Sequence, residues 1–504
     1  MKQLKGRKAA LHNLGCKVNA YETDSMAALL KDAGMEIVPF SEKADVYVIN
    51  TCSVTNIADR KSRQMIHRAR NLNPSAIVVA AGCYVQTAID KTGLDIDADI
   101  ILGTGRKQDL VREIIRYMDE QVRAGSESGQ EETENKGAGR RGLVDVTDLR
   151  TDRSMDDLVL PQLEGHTRAY IKVQDGCDMY CSYCIIPYAR GHVRSRKPEE
   201  IVSELTRLAG KGTKEVVLTG IHLSSYGVDF PESSGSVWQE RSKLVDLIEL
   251  VSHINGIQRI RLGSLEPTII TEETAERLSG VENLCPHFHL ALQSGSDSVL
   301  ERMNRHYTTD EYRRCLKVLR KWFDDPALTT DVIVGFPGET EREFAETVEY
   351  LKEIRLYETH IFRYSRRAGT RADRMEGQLP ENVKAERAAI LEKLNEENRM
   401  DYMRSKSGKA AEVLVEEMAG TRVPNAARGQ APGNCRSENT ADMTGEKASH
   451  GNAGQGGIPV DSRGRKLYAG YTKEYIRAYV ASDHDIRGEV VRGRLLVESS
   501  AFLV

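Results

Sequence analysis

Three cysteines within eight residues, Cys177, Cys181 and Cys184, carry the clearest chemistry in this chain. With cysteine at 9 of 504 positions, a Cys-x3-Cys-x2-Cys pattern is expected by chance roughly 0.003 times in a chain of this length. A structural zinc takes four nitrogen or sulfur ligands, and His192 is the one nearby residue that could complete such a set. Three thiolates on one short loop suit instead three irons of a cubic [4Fe–4S] cluster, with the fourth iron open to a substrate-like ligand. Cys16, Cys52 and Cys83 lie far apart, in the contexts LGCKVN, NTCSVT and AGCYVQ. An odd number of cysteines and no apolar leader argue against a disulfide framework. Cys285, Cys315 and Cys435 have no partner spacing; the first two are expected in a core and the third in a flexible loop.

The elements that must position these thiols follow from pattern. The first ~120 residues alternate strands and helices. Residues 11–14 lead into Gly15-Cys16, Asp45–Asn50 into Thr51-Cys52, and Ile77–Ala81 into Gly82-Cys83. Helices are expected at Tyr21–Lys31 and Asn56–Arg70. Such alternation implies a parallel sheet whose ligands sit beyond the carboxyl ends of its strands, so three distant cysteines should share one rim. A second region of this kind has strand candidates at Ala169–Val173, Glu215–Leu218, Arg259–Leu262, His287–Leu292, Leu328–Val334 and Thr359–Phe362. Amphipathic helices such as Pro198–Ala209 and Thr309–Trp322 separate them. Six units in a row predict a partial barrel working at its strands' carboxyl ends. The expected fold class is α/β: an N-terminal parallel α/β domain (1–124), a polar linker (125–150) and a partial (β/α) barrel core (151–379). A charged helical connector (380–409) then leads to a small C-terminal β-barrel (410–504), interrupted by a low-complexity insert at about 420–464.

Composition excludes several classes. Hydrophobic residues at 40% and charged residues at 29% are globular values and rule out a wholly disordered or collagen-like chain. A net charge of −4 gives no global positive field, so any nucleic acid must be held by local patches. No apolar run is long enough to span a bilayer. The basic start lacks the apolar stretch of a secretory signal, and a cytoplasmic protein is expected.

The spacing of Cys177, Cys181 and Cys184, following directly on a strand, resembles the radical S-adenosylmethionine (SAM) superfamily. That resemblance implies an open iron holding the amino and carboxylate groups of SAM, whose cleavage yields methionine and a 5′-deoxyadenosyl radical. It also places the aromatic Tyr183 near the adenine. Seven motifs in order extend the resemblance over nearly the whole chain: LGCKVNAYETD (14–24), NTCSVTNIADRKSRQ (50–64), AGCYVQ (81–86), QDGCDMYCSYCIIPYARG (174–191), LALQSGSD (290–297), DVIVGFPGET (331–340) and FRYSRRAGTRA (362–372). Together they resemble the methylthiotransferase family, in the branch acting on threonylcarbamoyladenosine in tRNA, with a terminal TRAM-type barrel. Lys17-Val18 after the first cysteine, CSYCIIPYARG and GYTKEYI (470–476) carry the branch; the isopentenyladenosine branch more often has Gln-Met after that cysteine. The insert at about 420–464 departs from the family by splitting the TRAM-like region.

The resemblance implies two [4Fe–4S] clusters and SAM as cofactors. Cys177, Cys181 and Cys184 would generate the radical, and Cys16, Cys52 and Cys83 would hold a sulfur-donor cluster. The reaction replaces the C2 hydrogen of an adenine with a methylthio group. That hydrogen is not acidic enough for a side-chain base, so general acid–base catalysis has nothing to grip, and a radical must remove it. SAM contacts are expected at Tyr183, Thr219, Gly220, Ser264, Glu266, Gln293, Ser294 and Gly335. Two basic runs, Arg60, Lys61, Arg63, Arg68, Arg70 and Arg363, Arg366, Arg367, Arg371, are expected to hold phosphates around a splayed tRNA anticodon stem-loop. An electron donor such as flavodoxin or ferredoxin and a monomeric state are also expected. The rivals are the same chemistry on isopentenyladenosine or on a ribosomal-protein aspartate, and a non-catalytic RNA-binding protein stabilised by zinc.

Overall fold

Near-continuous apolar runs form the first sheet of the computed structural model, which describes residues 3–92, 96–127, 143–149, 151–156, 158–160, 167–231, 242–419, 464–498 and 501–503. Cys435, nearly all of the expected insert and most of the expected linker lie outside these residues. Strands β1 (Lys8–Asn13), β2 (Glu36–Ile37), β3 (Val46–Thr51), β4 (Ile77–Gly82), β5 (Ile100–Leu102) and β6 (Leu143–Asp145) pair in parallel in the order β2-β1-β3-β4-β5-β6. Leu143–Asp145, within the expected linker, thus forms the edge strand of this sheet.

Helices α1 (Lys17–Asp32), α2 (Asn56–Leu72), α3 (Cys83–Thr92) and α4 (Leu110–Glu127) cover it. Every residue of β3 is buried because both faces are covered. On one face Met26, Leu30, Leu110 and Ile114 pack on Val46, Val48 and Val79. On the other, Ile66, Ala69 and Val85 pack on Tyr47, Ile49 and Val78. Thr55 starts α2 by accepting the Ala58 N–H on its side chain.

The core follows as β7 (Arg168–Lys172), the short pair β8 (Gln174–Asp175) and β9 (Arg194–Ser195), β10 (Glu215–Thr219), β11 (Arg259–Leu262), β12 (His287–His289), β13 (Ala327–Val334) and β14 (Glu358–Arg363). Its helices are α5 (Ile186–Arg190), α6 (Pro198–Gly210), α7 (Lys243–Ser252), α8 (Glu272–Ser279), α9 (Asp297–Arg302), α10 (Thr309–Trp322) and α11 (Glu341–Ile354). Two parallel sheets, β11-β10-β7 and β12-β13-β14, are joined by bridges at Ile260–Leu284 and Leu265–Leu290. The result is a six-stranded partial barrel.

Side chains alternate along its strands. Ala169, Ile171, Val216, Leu218, Ile260, Leu262, Phe288, Leu328 and Val332 join the helices in one apolar core. The intervening residues, among them Arg168, Lys172, Glu215, Thr219, Arg261, His289, Asp331 and His360, face the lumen. That inner face is polar, unlike the apolar filling of a closed (β/α)8 barrel. Among the described residues β7 and β14 do not pair, and α1 lies along β7.

Helix α12 (Glu381–Ser405) leads to strands β15 (Ala410–Met418), β16 (Lys466–Tyr471), β17 (Arg477–Ser482), β18 (Val490–Val497) and β19 (Ala501–Leu503), which close a barrel in the order β15-β16-β17-β19-β18. This small barrel caps the amino-terminal end of the core. Arg259 donates to Glu412 O (2.7 Å) and Tyr471 O (2.9 Å), and Arg261 donates to Lys473 O (3.0 Å). Tyr475, at φ +67, stacks on His287 (5.1 Å) and Tyr471 (4.6 Å), with the Arg261 guanidinium 4.6 Å from its ring centre. No helix among the described residues is long and apolar enough to cross a membrane. Removing the aromatic plug in Tyr475→Ala is expected to cost about 3 kcal/mol, seen as an earlier urea transition. An unchanged transition would show that the stack contributes nothing.

Candidate active site

The register of the first sheet gathers three cysteines. β1, β3 and β4 are neighbours, with Asn13 opposite Asn50 and Thr51 opposite Gly82, so the loops after them open side by side. Asn19 ties two of those loops, donating to Leu14 O (2.6 Å) and Thr51 O (3.1 Å). At Gly15 (φ +109) a Cβ would stand 2.8 Å from the Cys52 Sγ; only glycine leaves that space and takes that backbone. Cys52 and Cys83 are buried, Cys16 is exposed, and all three are free thiols. Burial, then the neighbouring Cys83 and Cys16, push the Cys52 thiol up to about 12. Burial also raises Cys83, against the opposing pull of Arg190 and Lys107.

The second set sits on the loop after β8, clasped by the turn that ends α9. Ser182 donates its N–H to Met303 O (2.9 Å) and its hydroxyl to Arg302 O (2.7 Å). The Asn304 amide donates to Met179 O (3.3 Å) and Tyr180 O (3.2 Å). Tyr180 and Asn304 both take left-handed backbone, at φ +47 and +57, as strain held at a functional loop does. Burial, then Cys181, pushes the Cys184 thiol up to about 12, and burial raises Cys177 as well. The N–H groups of Met179 and Ile186 point at the sulfurs of Cys177 and Cys184. Arg305 donates to the Cys181 Sγ at 3.1 Å and to both oxygens of Glu266 at 2.5 Å.

Both sets fit an iron–sulfur group. Buried thiols that resist ionisation alone become thiolates when a metal supplies the positive charge, and each set already has a guanidinium donating to sulfur. A single zinc would draw its sulfurs to about 3.8 Å from one another. Among the described residues the ligand atoms that converge within 4.8 Å are those of His289, Asp331 and His360, so both cysteine sets are wider than zinc needs. His192 is bonded to Asp178 (2.6 Å).

Arg190 links the two sets. It lies six residues after Cys184 and donates through Nε to the Cys83 Sγ at 3.2 Å. Its other nitrogens donate to Glu22 (2.9 Å), Asn19 (2.6 Å) and Asp175 (3.0 Å). Lys107 and Lys172 also pair with Glu22, and Lys172 with Asp175 (3.1 Å). All of these charged side chains are buried. Burial alone would raise the Glu22 and Asp175 carboxyls, but the surrounding cations hold both well below the usual range. Asp156 is the odd member: its oxygens lack hydrogen bonds, and burial lifts its carboxyl to about 6 against the pull of Lys172 and Lys107.

The remaining expected residues divide. Tyr183 packs edge-on against Phe336 (6.5 Å). Thr219 and Gly220 end β10, Ser264 is exposed just beyond β11, and Glu266 is buried between Arg305 and His222 (3.5 Å). Gln293 stands at φ +69. Ser294 turns its hydroxyl to Thr347 on α11 (3.3 Å), and a Cβ on Gly335 would lie 2.4 Å from Lys384 Cγ. Arg60, Lys61, Arg63 and Arg68 are exposed on α2, as are Arg363, Arg366 and Arg371 nearby. Two expected phosphate contacts are corrected. Arg70 is held by Asp99 (2.9 Å). Arg367 is buried against Ser53 (2.7 Å), Asn56 (2.8 Å) and Asp59 (2.9 Å), joining the Cys52 loop to the core. Arg190, Asn304 and Arg305 were missed by sequence reasoning; only their place in or near the motifs pointed to them.

The sequence profile of the Radical SAM superfamily matches residues 171–351, and a second, described as Uncharacterized protein family UPF0004, matches 8–103. The threonylcarbamoyladenosine tRNA methylthiotransferase MtaB of Bacillus subtilis is 41% identical over 408 residues, 81% of this chain and 84% of that one. Its namesake from Aquifex aeolicus is 39% identical over 81% of this chain and 93% of that one. The chain belongs to the radical SAM methylthiotransferase family. A further relative, the tRNA-2-methylthio-N(6)-dimethylallyladenosine synthase of Syntrophus aciditrophicus, is 33% identical over 81% of this chain and 83% of that one.

Arg190→Met leaves Glu22 and Asp175 short of a buried partner and is expected to cost about 3–5 kcal/mol in urea unfolding; a loss under about 1 kcal/mol would show that the pair is not dry. Asp156 holds its proton more tightly folded than unfolded. Its stabilising share is whole below its ordinary value near 3.8 and is lost as pH rises through about 6. Asp156→Asn should therefore match the parent at pH 4 and exceed it by about 3 kcal/mol at pH 8. Equal stability at both pH values would contradict this.

Proposed function

We propose that this enzyme converts N6-threonylcarbamoyladenosine next to the tRNA anticodon, at position 37, to its 2-methylthio derivative. The observation that carries the substrate is the order of likeness: 41% and 39% identity to the two threonylcarbamoyladenosine enzymes against 33% to the dimethylallyladenosine one, over the same four-fifths of the chain. Bound at Cys177, Cys181 and Cys184, a [4Fe–4S] cluster supplies the electron for radical formation from SAM, and one at Cys16, Cys52 and Cys83 supplies sulfur.

The chain's own residues do the positioning. Glu266, fixed by Arg305 and His222, offers a carboxylate to the SAM amino group, and Tyr183 on Phe336 offers an aromatic wall to its adenine. Thr219, Gly220, Ser264 and Gln293 complete the rim. A base reacting at C2 inside the barrel would have to leave the anticodon stack. Exposed Arg60, Lys61, Arg63, Arg68, Arg363, Arg366 and Arg371 form the phosphate-binding surface beside the rim. A flavodoxin- or ferredoxin-type carrier would deliver electrons, and the chain would act as a cytoplasmic monomer.

Nucleoside mass spectrometry of tRNA from cells lacking the protein is expected to show loss of 2-methylthio-threonylcarbamoyladenosine alone; loss of the dimethylallyl derivative instead would overturn the substrate. In purified protein, Ala at Cys177, Cys181 or Cys184 should stop SAM cleavage. Ala at Cys16, Cys52 or Cys83 should spare cleavage and abolish thiolation. Thiolation by Cys52→Ala would refute this division of labour.

A further inference from the structure

The inner wall of the barrel holds a group of ligand atoms that the radical chemistry leaves unused. Parallel register sets His289 of β12 opposite Thr329 of β13, and Asp331 of β13 opposite His360 of β14. Two residues apart on one strand, Thr329 and Asp331 share a face, so the two histidines and the carboxylate meet there. Their ligand atoms lie within 4.8 Å of one another. His289 Nε2 is 3.3 Å from Asp331 Oδ2, and His360 lies over His289 with ring centres 5.6 Å apart.

Distance and orientation both suit a metal ion. Two nitrogen or oxygen donors held by one tetrahedral zinc at about 2.0–2.1 Å stand about 3.3 Å apart, the separation already found between His289 and Asp331. Bringing the widest pair to that value takes no more than about 1.5 Å of side-chain movement. The Thr329 hydroxyl meets His289 Nδ1 at 2.9 Å. By accepting from Nδ1–H it leaves the Nε2 lone pair facing Asp331, as the outer partner of a metal-bound histidine does. A plain histidine–carboxylate pair would leave two groups unused: Asp331 Oδ1 is buried without a hydrogen bond, and the His360 nitrogens make none among the described residues. The His289 and Asp331 side chains are still 14% and 26% exposed, which gives an ion a way in and room for a further ligand.

We propose that His289, Asp331 and His360 bind one zinc ion in the barrel wall, through two imidazole nitrogens and one carboxylate oxygen, with water in the fourth position facing the lumen. Two neutral imidazoles and a carboxylate with an open position are a ligand set that zinc takes. Iron(II) takes it too, but an ion that exchanges electrons beside an organic radical would consume the radical, and zinc has no redox chemistry. The lumen arginines do not oppose a dication: Arg168 and Arg261 share the Glu215 carboxylate at 3.3 and 3.2 Å, and Arg168 also pairs with Glu416, so their charge is met on the wall itself. The ion ties β12, β13 and β14 across their inner face and leaves one exchangeable position open to the chamber. It is separate from both cysteine rims and uses none of their residues.

The test uses the anaerobically reconstituted full-length protein, given Zn2+ alone and then desalted. The parent should keep one zinc per chain beside its iron. X-ray absorption at the zinc edge should show nitrogen and oxygen neighbours at about 2.0 Å and no sulfur at about 2.3 Å, which separates this site from zinc trapped by the cysteines. Asp331→Asn and His360→Phe should each weaken zinc binding by at least about a hundredfold, and Thr329→Val by about tenfold, as loss of an outer partner does, with iron content at the parental level. In the parent, no retained zinc, zinc with sulfur neighbours, or a further iron in its place overturns the inference without recourse to any variant. Zinc affinity unchanged in both Asp331→Asn and His360→Phe overturns it as well.

Discussion

One buried guanidinium sets the geometry of the whole site. Arg190 leaves the loop of the second cysteine set and meets Cys83 of the first, with Glu22 from the N-terminal domain and Asp175 from the core sharing its charge. A buried ion pair gains little net stability over an apolar contact, because desolvation cancels most of the attraction. Its geometry, however, is unforgiving: slide one domain past the other and several charges are stranded without partners. The network therefore acts as a register pin, and the two cysteine rims keep a fixed separation because every alternative placement is far costlier. Arg367, bonded across the same interface to Ser53, Asn56 and Asp59, pins the opposite side.

The polar lumen follows from the same constraint. A closed barrel would fill its interior with branched apolar side chains; here six strands leave a gap, and the inner positions carry Arg, Glu, His, Asp and Lys. Such a lining needs a floor and a side wall to limit water entry. Tyr475 and Tyr471 of the small terminal barrel supply the floor, stacked on His287 and under Arg261. Helix α1 supplies the wall along β7 and brings Cys16 and Lys17 with it. Three domains, each with its own apolar core, thus contribute to one chamber that none could build alone.

Much of this was legible in the chain. Buried strands ending at Cys52 and Cys83 announce a parallel sheet, and parallel neighbours must place their carboxyl ends together. Thr309–Trp322 begins with a Thr308–Glu311 capping box, so its start is written locally. Contacts between distant residues were not legible. Nothing near Arg190 says that its partner lies 168 residues away at Glu22, and Arg70 and Arg367 look like phosphate ligands until their carboxylate partners are seen. Leu143–Asp145 is too short to signal a strand against its polar surroundings; it becomes one because the edge of β5 offers hydrogen bonds. Ser294 and Gly335 sit at strand ends, and nothing in their local sequence announces the neighbours Thr347 and Lys384.

The central claim is that two iron–sulfur groups face one chamber. Iron and sulfide analysis of anaerobically reconstituted protein, paired with electron paramagnetic resonance of the reduced form, tests it most directly. About eight irons per chain and two signals that broaden one another are expected. Four irons and one unperturbed signal, with Cys16, Cys52 and Cys83 still open to alkylation, would contradict it.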